Sequence, residues 1–170
     1  MVPFESRQHH TELIKQGKAR KPIEFGHKLV FAETGEKFII HYETMPKQRA
    51  DTELIEESLN AHKKVFRCRP DLLAGDKGFY ESREQIANLS KHIETVSICK
   101  KGRRTAEEDQ RESTKKFKTG QRFRAGIEGT ISVLKRAFKL SKCLFKGFKN
   151  FASSVGCAVF CHNLVMLART

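Results

Sequence analysis

From residue 51 onward the chain alternates between segments with helical spacing and short apolar runs of strand length, and that alternation limits its fold more than any other feature. Residues 51 to 66 read as a helix, with Leu54, Ile55, Leu59, His62 and Phe66 on one side and Asp51 or Thr52 as the cap. Pro70 closes that region, and Leu72, Leu73 and Ala74 form a short buried strand that runs out at Gly75 and delivers Asp76 at its carboxyl end. SREQIANLS is helical, ETVSIC is a further strand, and two helices follow over about 120–138 and 151–168, joined by a basic turn with Gly147. Upstream, HKLVFAE and KFIIHYET are β-branched and aromatic segments split by a Thr34-Gly35 turn, a hairpin signal. Strands alternating with helices predict an α/β sheet, and in such sheets ligand groups gather at the carboxyl ends of strands. Asp76 is placed where that rule expects chemistry.

At 170 residues the chain supports one sizeable core. Residues 1–20 read as a poorly ordered lead-in with little periodicity, and 21–170 as the folded unit. Charge is unevenly spread. The net +13 comes almost entirely from residues 100–170, which hold 17 Lys+Arg against five Asp+Glu. Such a half concentrates positive potential, and nucleic acid is the polyanion that gains most from it. No apolar run approaching a spanning helix is evident and the N-terminus lacks a signal peptide's apolar stretch, so the expectation is a cytoplasmic protein that does not enter membranes. Residues 100–118 are highly charged with few large apolar residues, and read as a flexible connection or solvated arm. The five cysteines, Cys68, Cys99, Cys143, Cys157 and Cys161, are odd in number and suit reduced thiols; Cys157, Cys161 and His162 give three zinc ligands at most and read more simply as part of a buried helix.

In the helix from 120, Phe123, Ile127, Ile131, Leu134 and Phe138 recur at three- and four-residue steps as the packed stripe. Arg124, Glu128 and Lys135 lie on an adjoining face, giving cation, acid, cation. An isolated Arg-x3-Glu is ordinarily a solvated ion pair. Here Gly126 and Gly129 flank Glu128 in mid-helix, each at about 1 kcal/mol against Ala, a broken local rule of the kind found where a substrate approaches the backbone.

The spacing Arg124-x3-Glu128-x6-Lys135 resembles the Y-x2-R-x3-E-x6-K signature of DDE transposases of bacterial insertion sequences. GDKGFY is similar to the segment that holds their second acid, and KARKPIEFGHKLVFAE, KGF and NLVMLAR are similar to the same proteins. The resemblance runs from about residue 11 to the end. It implies a ribonuclease H-like mixed sheet flanked by helices and a domain that cuts and joins DNA with two Mg2+ ions. Asp76 and Glu128 would be catalytic acids and metal ligands, since hard carboxylate oxygens hold magnesium in a two-metal site. Arg124 and Lys135 would contact phosphates near the cut, with Lys77 and Arg122 as further DNA contacts.

Three departures accompany it. Gln121 stands where the signature has tyrosine. Gln8 stands where an acid is expected before the His10-Thr11 pair, with Glu5 out of step. The chain also opens almost directly at the catalytic core, so the expectation is an N-terminally truncated transposase with little cleavage of its own, binding transposon ends as a homodimer or with a full-length copy. From another class, the alternative is a DNA-binding protein without catalysis that occupies transposon ends or pairs unproductively with a full-length transposase. An RNA-binding module is disfavoured, because no stacking aromatics accompany the cations.

Overall fold

The computed structural model describes residues 12–15, 23–26, 28–45, 53–141 and 144–170, the first two segments by backbone alone. Strands β1 (Glu12–Lys15) and β2 (Ile23–Gly26) form an antiparallel pair, so part of the expected lead-in is strand. Strands β3 (Lys28–Glu33) and β4 (Ile39–Met45) form the hairpin read from the sequence. Its connection differs from the two-residue Thr34-Gly35 turn. Thr34 N–H donates to Phe38 O (2.9 Å), Lys37 N–H donates to Thr34 O (3.1 Å), and Lys37 rather than Gly35 takes the left-handed conformation, at φ 71°. The wider loop accompanies a register irregularity at Ala32/Glu33.

Helix α1 (Leu54–Phe66) buries Leu54, Ile55 and Leu59, and ends in a left-handed Arg67. Its proposed caps, Asp51 and Thr52, lie outside the described residues. Strand β5 (Leu72–Gly75), helix α2 (Arg83–Ser90, capped by Ser82) and strand β6 (Thr95–Ile98) follow in the expected places, with β5 and β6 parallel and β5 half-buried rather than buried. Alternation then sets the layers. Val96 and Ile98 of β6 join Ile55, Leu59, Ile86 and Leu89 in a core under α1 and α2. Ser97, between them, faces helix α4 (Lys115–Arg136). On the hairpin, Val30 and Met45 pack on Leu54 of α1, while Leu29, Phe31 and Ile39 pack against Leu134 of α4 and Val155, Ala158 and Val159 of helix α5 (Phe148–Leu167). Helices therefore cover both faces of the strands.

Two sequence expectations are corrected. Residues 100–118 are neither arm nor linker: they contain helix α3 (Ala106–Ser113) and the first turn of α4, where Phe117 is buried. What orders them is polar. Glu108 accepts hydrogen bonds from Lys100 Nζ (2.7 Å), Arg83 Nε (3.1 Å) and Thr105 N–H (2.9 Å), and Glu112 accepts from Lys100 N–H (2.8 Å) and Arg104 Nη1 (3.0 Å). Burial alone would raise the Glu108 carboxyl, but the donors around it outweigh that and hold it far below the usual carboxylate range. The second correction is α5, which is long and apolar enough by length and composition to cross a membrane. In this fold it is fastened to the hairpin instead. Asn163 accepts from Ile39 N–H (3.0 Å) and donates to Ile39 O (2.9 Å), and buried His162 Nε2 lies 2.9 Å from Lys37 O. That bond engages one ring nitrogen of His162 in fastening the helix, and Cys157 is exposed rather than buried.

Candidate active site

Strand β5 ends at Gly75, and Asp76 continues in extended conformation before a single 3-10 turn, Lys77–Phe79. The Asp76 carboxylate caps that turn, accepting from Lys77 N–H at 2.8 Å. A capping role is thus real. It uses one oxygen and leaves the side chain 69% exposed at the carboxyl end of the parallel pair.

Helix α4 carries the second acid to the same place. At Gly120 it lies so close to β6 that a Cβ there would meet Ser97 Cβ at 2.4 Å and Oγ at 2.7 Å. Ser97 Oγ donates to Phe117 O (2.8 Å), and Gln121 Nε2 donates to Ser97 O (2.6 Å), so the residue at the signature's tyrosine position ties helix to strand. Counting fours from Gly120 reaches Arg124 and then Glu128, one face of the helix extending past the strand end. Arg124 Nη1 lies 3.7 Å from Asp76 Oδ1, and Nη2 lies 3.2 Å from Glu128 Oε1. One guanidinium spans both carboxylates. Arg124 is the least exposed of the three, and its Nε is buried without a hydrogen bond.

These residues open on a groove of about 410 Å³ between β3 and β5, whose walls include Leu29, Phe31, Leu73, Phe123 and Ile127. Lys77, Arg122 and Lys135 are exposed, and none of them lines it. Of the two helical glycines, Gly126 faces Lys37 Nζ, 2.6 Å from where a Cβ would stand, while Gly129 faces open space. Sequence reasoning missed Glu33 and Lys37. Glu33 lines the groove with its side chain 3% exposed and pairs with Lys37 Nζ at 2.7 Å. The available signal was its place at the carboxyl end of a strand, as with Asp76 just past the end of β5. Gln8 and Glu5 lie outside the described residues.

A family model described as a transposase DDE domain matches residues 4–164. The chain belongs to that family. No curated protein and no solved structure matches it. The mixed α/β architecture is consistent with the ribonuclease H-like fold of a DDE domain, and membership makes DNA its substrate class. DDE domains use divalent metal, and the donor set here fits one. Two exposed carboxylates from separate elements already converge on a shared cationic group, and carboxylate oxygens are the donors that hard divalent ions select.

Proposed function

We propose that this DDE domain is built for metal-dependent DNA strand cleavage and transfer and retains Asp76 and Glu128 as catalytic acids and metal ligands for Mg2+, with little activity of its own. The observation that carries the reading is the convergence of both carboxylates on Arg124 although they are far apart in sequence. Magnesium bound there would supply Lewis-acid activation and charge neutralisation for an in-line displacement at phosphorus. Asp76, held by its cap to Lys77 N–H, keeps one oxygen oriented while the rest of the carboxylate stays accessible. Glu128 approaches from a helix fixed to β6 through Ser97 and Gln121. Arg124 holds the two acids together, and with a divalent ion held by Asp76 and Glu128 its fork would be free to contact a phosphate. Lys135, with Arg122 and Lys77, contacts the DNA backbone from outside the groove. The substrate is a transposon end, met by a homodimer or beside a full-length transposase, in the cytoplasm. Residues 21–170 act as one catalytic unit, with 1–20 as its lead-in.

Because Gln8 occupies the expected first acid's position, the chain alone is expected to cut little. Robust Mg2+-dependent cutting that vanishes in Asp76→Ala would overturn that expectation and keep the assignment of Asp76. The reading itself is tested by DNA binding with and without Mg2+. Tighter binding with Mg2+, lost in Asp76→Asn and in Glu128→Gln, supports it. Binding indifferent to Mg2+ in all three proteins refutes it and leaves phosphate contact alone.

A further inference from the structure

The groove between β3 and β5 is bounded by two strand edges. Every residue from Lys28 to Glu33 and from Leu72 to Gly75 lines it, whichever side of the strand its side chain takes. Side chains alternate between faces, so an unbroken run along a wall means that the backbone edge itself forms that wall. Among the described residues β3 pairs with β4 alone and β5 with β6 alone, so neither groove-side edge has a ladder partner. Strand β5 is half-buried along its whole length, a setting in which backbone donors and acceptors call for partners.

The faces of the groove suit a strand as well. On one side stand Ile55 and Leu59 of α1, and on the other Phe123, Ile127 and Ile131 of α4. A strand laid between β3 and β5 would be covered by helices on both faces, which selects a continuous run of apolar and β-branched residues. Nucleic acid fits poorly, since apolar walls offer nothing to phosphates and Lys77, Arg122 and Lys135 do not line the groove. At the end beside Asp76, Arg124 lines the groove with its Nε buried and without an acceptor. A carboxylate at the end of an incoming strand supplies one.

The rest of the chain does not offer such a strand. Residues 1–11, 16–22 and 46–52, outside the described segments, contain no run of four apolar residues free of proline. Met1 and Val2 meet Pro3, which a central strand excludes, and the other two stretches are polar almost throughout. A second copy brings the same segments.

We infer that the groove is an acceptor for an extended apolar strand of a separate polypeptide, ending in an acidic residue that meets Arg124. The incoming strand joins the β3–β4 and β5–β6 pairs into one sheet. Main-chain hydrogen bonds to both edges give affinity, and the apolar faces give selectivity. This binding activity is separate from the DNA chemistry proposed above and needs neither metal nor nucleic acid.

The test mixes the full chain, without DNA or metal, with a synthetic peptide and reads amide hydrogen exchange. The peptide is a run of about five valine and isoleucine residues closed by aspartate, with a lysine tail at its other end for solubility. Protection is expected to rise on the β3 and β5 amides that β4 and β6 leave unpaired. Two N-methylated peptides, each blocking one edge, are both expected to bind at least about 10-fold more weakly, because both edges pair. A peptide closed by asparagine is expected to bind severalfold more weakly, and equal binding overturns the part given to Arg124. Strand capture is overturned if either methylated peptide binds as tightly as the parent peptide, if protection falls on only one of β3 and β5, or if no binding occurs below millimolar concentration. Protection of both edges in the free chain also overturns it: independent of chain concentration, it assigns the groove to residues 1–11, and rising with concentration, to a second copy. Every arm is read on the unmutated chain, and failure leaves the assignment of Asp76 and Glu128 untouched.

Discussion

Two glycines on α4 should respond to alanine with opposite signs. At Gly120 a Cβ would meet Ser97 Cβ at 2.4 Å, Ser97 Oγ at 2.7 Å and Leu72 Cδ1 at 3.0 Å. Ser97 is fully buried and holds Phe117 O and Gln121 Nε2, so it gives way only by breaking those bonds. Overpacking costs about 1–3 kcal/mol, and disturbing buried hydrogen bonds about 1–3 kcal/mol more. Improved helix propensity returns about 1 kcal/mol. The net is a loss of about 3 kcal/mol, a large share of the roughly 5–15 kcal/mol that keeps a domain folded. At Gly129 no atom of the described residues stands within 4 Å, so alanine keeps the propensity gain of about 1 kcal/mol. Urea unfolding followed by circular dichroism reads both. With a slope of about 2–3 kcal/mol per molar, Gly120→Ala should lower the midpoint by about 1 M or more and Gly129→Ala should raise it by a few tenths. Adding Ser97→Gly to Gly120→Ala should recover part of the loss by removing the opposing Cβ. A Gly120→Ala protein as stable as the parent would refute the close crossing that aims Arg124 and Glu128 at the strand end.

Further predictions follow from other contacts. Glu108 has a folded-state pKa below its unfolded one, so its stabilising effect is present above the ordinary glutamate range and is lost as pH falls through and below about 4.3. Thermal melts from pH 6 down to pH 3 should therefore fall more steeply for the parent than for Glu108→Gln; parallel curves would refute the role given to that cluster. Asn163→Ala removes two hydrogen bonds to Ile39 and should cost about 1–3 kcal/mol in urea titration, with α5 exchanging its amide hydrogens sooner than α2; an unchanged midpoint would deny that these bonds fasten the helix. Arg124→Gln removes exposed ion pairs, so stability should change by less than about 1 kcal/mol. The same change frees the two acids of a competing cation, and Mn2+ affinity should rise severalfold while DNA binding weakens; a fall in Mn2+ affinity would mean Arg124 does not compete.

The strands and helices that pack by apolar periodicity were legible. The hairpin, α1, β5, α2 and β6 fall where alternation and three-to-four spacing put them, because burial of one face is what forms them. Helix α3 was illegible for the converse reason. Its ordering comes from Glu108 and Glu112 meeting Arg83, Lys100 and Arg104, partners that a hydropathy reading scores only as charge. The turn at Lys37 was missed because a lysine held left-handed by its loop leaves no mark that Gly35 does not counterfeit. At the candidate site, motif spacing pointed to Asp76 and Glu128 separately, but nothing local told that Arg124 would stand between them. That contact depends on Gly120 setting the depth of α4 on the sheet.

The convergence of Asp76 and Glu128 on one cation site is best tested by iron-directed cleavage of the chain itself. Fe2+ bound in place of Mg2+, with peroxide and ascorbate, cuts backbone next to the ion. Cuts beside Asp76 and beside Glu128 in the same molecule population, both suppressed by excess Mg2+, are the expected result. Cutting beside one of these residues but not the other would contradict a shared site.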